Sequence, residues 1–262
     1  MCFSSKAGRR SWHCRMLETA STRQELIPGW CQEKMATARW LFVGAGGNGY
    51  VIEGAAKKGM GEIHICDRDI VTTTNLNRQK FTAKDLYKPK AERLARNMSR
   101  QGFLGSTLVA HVAWFQELDL DVLKPQGIVC AVDPSVPGTR LAVSKACIER
   151  SIPGVFWAVS TDADWGWVFV QEPKKACLAC VFPENVTRDE NAKDRCPGTP
   201  ASCDILMTLA GCALYAVDTL IMERVRDWNF RTLSLSRSEF GKCVMITEKE
   251  HCSLCAVSRR LS

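Results

Sequence analysis

The chain has 262 residues, enough for one large α/β domain or two small ones, and 46% of them are hydrophobic, which suits a sizeable core and sets aside a low-complexity chain. The net charge of +7, from 35 basic and 28 acidic residues, is compatible with an acidic protein partner or RNA but identifies neither. Much of it reads as solvated ends, with Lys6, Arg9, Arg10 and Arg15 at the front and Arg259 and Arg260 at the back.

The opening stretch MCFSSKAGRRSWHC lacks the apolar core of a signal peptide, so the reading is a cytoplasmic protein with reduced thiols. Residues 1–20 show no clear period and read as a flexible or docking arm. A helical stretch over 22–37 is interrupted by Pro28 and Gly29. Apolar strands are then expected at 39–43, 62–66, 107–113, 127–132 and 153–159, with helices at 49–59, 84–100, 117–123 and 138–151. This alternation predicts an α/β, Rossmann-like, doubly wound and mostly parallel sheet. WGWVFVQ at 165–171 reads as an antiparallel addition, followed by a polar loop at 183–202 and short strands within 231–236 and 242–248. The longest apolar run, 205–222, invites a membrane reading, but it carries Asp218 and has neither a second span nor a basic flank. It is read as a buried helix, and residues 21–257 as one domain with a C-terminal elaboration.

LFVGAGGNGY, residues 41–50, is a strand that stops at a turn. Gly44, Gly46 and Gly49 match G-x-G-x-x-G, with Gly47 as an extra glycine. Missing side chains let a phosphate approach the backbone, and the following helix start offers free N–H groups. Asp67, about 20 residues on, can accept hydrogen bonds from ribose hydroxyls. The bland alternative is a glycine turn that only packs helix on strand. On these residues alone an NAD-dependent oxidoreductase leads. DRDIVTTTNLNRQKF then places Asn75, Arg78 and Gln79 just past the second strand, and Lys90 at the next helix start. Hydride transfer does not need such cations, whereas a triphosphate losing pyrophosphate does. Taken singly, each cation is also compatible with ordinary surface charge.

Fourteen cysteines are many. Cys66, Cys130, Cys147 and Cys212 sit in apolar or helical contexts and are assigned to packing. CLAC and CSLC supply Cys177, Cys180, Cys252 and Cys255, two knuckles about 70 residues apart that suit a closed, structural Zn2+ site. Two redox pairs are the alternative. His251 adjoins a shell already complete, and His111 reads as a strand histidine. Trp165 and Trp167 read as core or interface packing before a binding surface.

STRQELIPGWCQEKMATARWLFVGAGGNG, DRDIVTTTNLNRQ, KPKAERLAR and VCAVD, in this order, resemble the ThiF/MoeB/HesA family, relatives of the ubiquitin-activating enzymes, over about residues 21–257. The resemblance implies an ATP- and Mg2+-dependent adenylyltransferase that activates the C-terminal glycine carboxylate of a small ubiquitin-like or sulfur-carrier protein. It implies that Asp67 binds ribose, that Asn75, Arg78 and Lys90 contact the triphosphate, and that Asp133 holds Mg2+. It implies that Arg23 reaches the neighbouring subunit's site in a homodimer, whose interface the apolar helix helps to bury. Cys196, in the polar loop with Lys193 and Arg195 near it, matches the loop where some members carry a reactive cysteine, with Cys203 as a second candidate. Sulfur, if used, is expected from a separate donor protein. The chain departs from the family in having one arginine in TASTRQ where a pair is usual, Asn48 where leucine is common, and PSVPG after Asp133. Related branches adenylate a peptide or a tRNA nucleoside carboxylate, and these remain the alternatives.

Overall fold

The computed structural model describes residues 19–101, 104–133, 138–183, 200–237 and 241–256. Residues 1–18, most of the predicted arm, lie outside these, as does Cys196. The described strands form one eight-stranded sheet in the order β3-β2-β1-β4-β5-β6-β7-β8. β1 (Arg39–Val43), β2 (Glu62–Cys66), β3 (Thr107–His111), β4 (Gly127–Cys130) and β5 (Gly154–Val159) pair in parallel. β6 (Trp165–Gln171), β7 (Phe230–Ser234) and β8 (Cys243–Val244) extend the sheet antiparallel. The order reverses between β1 and β4, the place where doubly wound sheets bind ligands.

Side chains alternate between two covered faces, which is why the parallel strands read as continuous apolar runs. Trp40 and Phe42 of β1, Ile63 and Ile65 of β2 and Val129 of β4 join one core with α3 (Asn48–Lys57), α4 (Lys90–Ser99) and α8 (Cys203–Ile221). Leu41, Val43, Ile128 and Phe156 point the other way, toward α6 (Thr139–Glu149) and α7 (Leu178–Val181). Each fully buried large side chain contributes about 1.5–3 kcal/mol. Helix α8 is long and apolar enough to cross a membrane by length and composition, yet Ile205, Leu209, Ala213 and Val217 are buried where it packs on α3, β5 and β6. At Gly54 of α3 an added Cβ would lie 2.3 Å from Leu214 Cδ2, so the glycine permits that close helix contact. Trp167, Phe182 and Phe230 form one ring cluster in the second core, while Trp165 stays partly exposed.

The N-terminal stretch forms α1 (Thr22–Glu25) and α2 (Gln32–Thr37), parted at the expected Pro28 and Gly29. The predicted helix over 84–100 divides. A 3-10 turn at Ala83–Asp85 ends at a left-handed Tyr87, φ 62°, and α4 starts only after Pro89. Proline disfavours helical backbone in the residue before it, so the helix begins behind it. Around 117–123 only α5 (Leu120–Leu123) is α-helical, preceded by a 3-10 turn at Phe115–Glu117.

Candidate active site

At the carboxyl ends of β1, β2 and β4 lies a cavity of about 280 Å3. Gly44, Gly46, Gly47, Asp67, Arg78, Gln79, Lys90 and Asp133 of the sequence-predicted set line it. Gly44 has φ +91°, and a Cβ there would sit 3.0 Å from the Ala131 carbonyl. At Gly47 a Cβ would meet the Trp157 indole at 2.7 Å. Trp157 Nε1 donates to Asn48 Oδ1 at 2.9 Å, and Asn48 Nδ2 donates to the Val43 carbonyl at 3.0 Å. The first turn of α3 is thus tied to β1 and, across β4, to β5, and its backbone is left bare for an anion.

Asp67 is held on both oxygens. Ala45 N–H donates to Oδ2 at 2.7 Å and Asp69 N–H to Oδ1 at 2.8 Å. Each oxygen keeps a further lone pair, so hydroxyl donors from a ribose still fit. Burial raises the pKa of this carboxyl, against the pull of the nearby Lys90 ammonium and of those two N–H groups. Lys90, the first residue of α4, has its Nζ 3.0 Å from Asp69 Oδ2. Helix α4 is aimed by Asp85, which accepts from Thr82 N–H at 2.9 Å, Arg93 Nε at 2.7 Å and Asn97 Nδ2 at 3.0 Å. Burial opposes the Asp85 charge, but these donors outweigh it and bring its pKa down to about 2. Arg78 donates to the Thr74 carbonyl and to Asn77 Oδ1 at 3.2 Å. Asp133 is exposed, and its hard oxygens suit Mg2+, which takes one or two carboxylates beside substrate phosphates.

Three predicted residues stand away from the cavity lining. Asn75 is buried, and its Oδ1 accepts from Thr72 N–H at 2.9 Å, closing a 3-10 turn. Gly49 faces Lys80 and Leu94, a packing contact. Arg23 is exposed on α1, whose neighbour Gln24 donates to the carbonyl of Lys58 at the far end of α3. Sequence reasoning missed Arg68, whose guanidinium lies 3.6 Å over the Trp114 ring in the cavity wall. The position of Arg68 between Asp67 and Asp69 was a signal; its partner, past β3, was not readable. Arg140 and Trp157 also line the cavity and were missed. Apolar Ala158, Val159, Ala201 and Leu206 complete the lining.

The four knuckle cysteines converge on the other side of the sheet. Cys177, Cys180, Cys252 and Cys255 are buried, with all four sulfurs within 4.8 Å of one another. Sulfur pairs lie at 3.8 Å (Cys177 to Cys180), 3.4 Å (Cys177 to Cys252) and 3.6 Å (Cys180 to Cys255). A tetrahedron with metal–sulfur bonds of about 2.3 Å has edges of about 3.8 Å, so the set fits Zn2+ and leaves no coordination position open. Lys249 N–H donates to Cys180 Sγ at 3.5 Å, support expected of a thiolate ligand. Elsewhere burial pushes the Cys66 thiol up to about 12 and the Cys147 thiol higher still, as expected of neutral packing cysteines. His111 Nε2 meets His64 Nδ1 at 2.9 Å.

The cavity is therefore a bare helix start flanked by the half-buried Asp67, several cations and two exposed acids, Asp69 and Asp133. Known proteins share this chain's sequence pattern. It is 28% identical over 222 residues to "Adenylyltransferase and sulfurtransferase MOCS3" of Danio rerio, covering 80% of this chain and 48% of that protein. It is 29% identical over 159 residues to the "Sulfur carrier protein ThiS adenylyltransferase" of Bacillus subtilis, 58% of this chain and 46% of that protein. The chain thus spans about half the length of these curated relatives. Its fold matches that of E. coli MccB solved with ATP, at a TM-score of 0.68 and 19% identity over 86% of this chain and 68% of that one. The model of the ThiF family matches residues 16–255, and the chain belongs to that family.

Proposed function

We propose that this protein uses ATP to activate the C-terminal carboxylate of a small ubiquitin-like or sulfur-carrier protein as an acyl-adenylate. The observation that carries this reading is the convergence of the glycine loop, Asp67, Arg78, Lys90 and Asp133 on one cavity at the switch point of the sheet. The relatives' names agree with it: the zebrafish protein is an adenylyltransferase and the Bacillus one acts on a sulfur carrier protein.

In this reading a carboxylate oxygen attacks the α-phosphorus of ATP, the bond to the β-phosphate oxygen breaks, and pyrophosphate leaves with the electron pair. Asp67 holds the ribose. The N–H groups at the start of α3 receive phosphate oxygens. Arg78 and Lys90 offset the charge that grows on the leaving pyrophosphate. Asp133 would hold Mg2+, which would supply charge neutralisation at the phosphates. Arg23 is exposed and does not line its own cavity, and it serves the site of a second copy in a homodimer. Cys196 is the proposed nucleophile for a later thioester, with sulfur drawn from a separate donor protein. The four-cysteine Zn2+ site is structural. The apolar wall of Trp157, Ala158, Val159 and Ala201 receives the substrate's tail, because a glycine-ended peptide carries little charge beyond the carboxylate itself.

The test is incubation of the protein with ATP, Mg2+ and candidate small proteins that end in glycine. The expected result is carboxylate-dependent ATP–pyrophosphate exchange and a mass gain of one AMP on the acceptor's C-terminus. Exchange with a short peptide or a tRNA, and with no protein acceptor, would overturn the substrate assignment.

A further inference from the structure

We infer that Arg140 is a positioning residue that sets Asp133 against the cavity for its divalent cation; this rests on the adenylation reading above. The last backbone hydrogen bond that holds the chain leaving β4, among the described residues, is Ala131 N–H to the Val43 carbonyl at 3.0 Å. Past it the chain runs through Val132 to Asp133 with no strand partner among the described residues. Arg140, the second residue of α6, supplies the missing tie. Its Nε donates to the Val132 carbonyl at 2.9 Å and its Nη2 donates to the same oxygen at 2.6 Å. Two donors on one acceptor hold that peptide plane in direction as well as in distance, and Asp133 is the residue attached to it.

The guanidinium is placed for this task and not for solvation. Arg140 is only 9% exposed, and its charge faces the Trp167 ring at 5.7 Å, itself packed against Phe182 and Phe230. What the arrangement provides is geometry. The first turn of α6 is anchored in turn through Thr139 Oγ1, which accepts from Gln116 Nε2 at 3.4 Å. The path from the α6 start to the metal carboxylate is thus one residue long on each side: Thr139 beside Arg140, Val132 beside Asp133. A lysine cannot reproduce it, because an ammonium has no planar pair of donors.

The experiment compares Arg140→Lys and Arg140→Met with the parent protein. The first readout is equilibrium binding of a non-hydrolysable ATP analogue with and without Mg2+. Loss of a residue that orients a metal ligand typically costs about 10–100-fold in metal affinity. The expected result is that the Mg2+-dependent gain in analogue affinity shrinks about tenfold in Arg140→Met. Arg140→Lys, which keeps the charge, is expected to fall between the two. The half-saturating Mg2+ concentration for pyrophosphate exchange should rise in the same order. Unchanged Mg2+ dependence in both variants overturns the inference. A loss of analogue binding that is equal with and without Mg2+ also overturns it, since Arg140 then acts on the nucleotide or the fold and not through the metal carboxylate. Should Arg140→Met not fold, Arg140→Lys decides alone by the same criterion. If the parent protein binds Mg2+ and ATP yet supports no exchange with any carboxylate, the adenylation reading fails while the binding comparison still decides the role of Arg140.

Discussion

The nucleotide-type cavity and the four-cysteine cluster sit on one sheet and are built in opposite ways. The cavity is assembled from loops and first turns, and its charged groups are paired through loop contacts that reach partway to solvent, Arg78 with the Thr74 carbonyl four residues back and Lys90 with the exposed Asp69. The cluster joins cysteines 75 residues apart, all buried within the second hydrophobic core. A group that bonds locally and faces solvent adds little to folding, so it is free to serve a ligand. A buried group that closes a long loop is coupled to the whole fold. The contrast teaches that activity and stability should separate cleanly by region in this protein.

The sharpest way to break that contrast is at the cluster. Replacing Cys177 or Cys255 with serine should abolish Zn2+ binding and cost more than about 4 kcal/mol of stability, the range reserved for losses such as a structural metal. Metal analysis of freshly purified protein together with denaturant unfolding measures both. A variant that keeps the parent's unfolding midpoint without metal would remove the cluster's structural role. At the cavity the opposite outcome is expected. Arg78→Ala and Asp133→Ala should each lower carboxylate-dependent pyrophosphate exchange by about 100-fold or more, in line with loss of a group that stabilises transition-state charge. The unfolding free energy of Asp133→Ala should stay within about 0.5 kcal/mol of the parent, as for an exposed position, and that of Arg78→Ala, half-buried and bonded to the Thr74 carbonyl, within about 1 kcal/mol. Parent-like exchange in either variant would contradict the assigned roles.

Sequence patterns exposed one region far better than the other kind of contact. The parallel strands were legible because apolar runs bounded by polar turns have few alternatives: β1, β2 and β6 begin and end where the pattern changes. The cysteine knuckles were legible because their spacing is the chemistry. Charges lining the cavity were legible when motif and position coincided, as at Asp67 and Lys90. What stayed hidden is whatever depends on two distant residues meeting. Trp114 under Arg68, Trp157 beneath Gly47 and Arg140 on the Val132 carbonyl each follow from the sheet order and leave no trace in local spacing. Asn75 shows the converse: a residue in the right motif whose side-chain oxygen caps its own turn, a contact that the motif does not announce.

Between the two extremes lies the support of the cavity, and there stability and site geometry should move together by smaller amounts. Asp85 holds the start of α4 and with it Lys90. Its folded pKa of about 2 lies below the unfolded value, so the sign is that of a depressed acid. Its contribution is present in full above about pH 4 and is lost as pH falls toward about 2, and the shift corresponds to about 2 kcal/mol. Asp85→Asn should therefore lower stability by about that amount at neutral pH and flatten the parent's acid dependence between about pH 4 and 2. An unchanged acid profile would place the carboxylate's role elsewhere.

The smallest effect is expected at Asn48, where the chain departs from the leucine common in its family. The side chain is fully buried and bridges the Trp157 indole to the Val43 carbonyl. Asn48→Leu removes both hydrogen bonds and strands a buried indole N–H, but it restores an apolar group of similar size. The net cost should be about 1 kcal/mol, the usual worth of a neutral hydrogen bond. Because Trp157 closes on Gly47, the loosened indole should weaken nucleotide binding before it weakens the fold. Pairing the substitution with Trp157→Phe tests this directly. If Asn48 acts only through the indole, the double variant should bind ATP no worse than Trp157→Phe alone. If the losses add, Asn48 supports the glycine loop through Val43 as well, and the first turn of α3 is held from two sides independently.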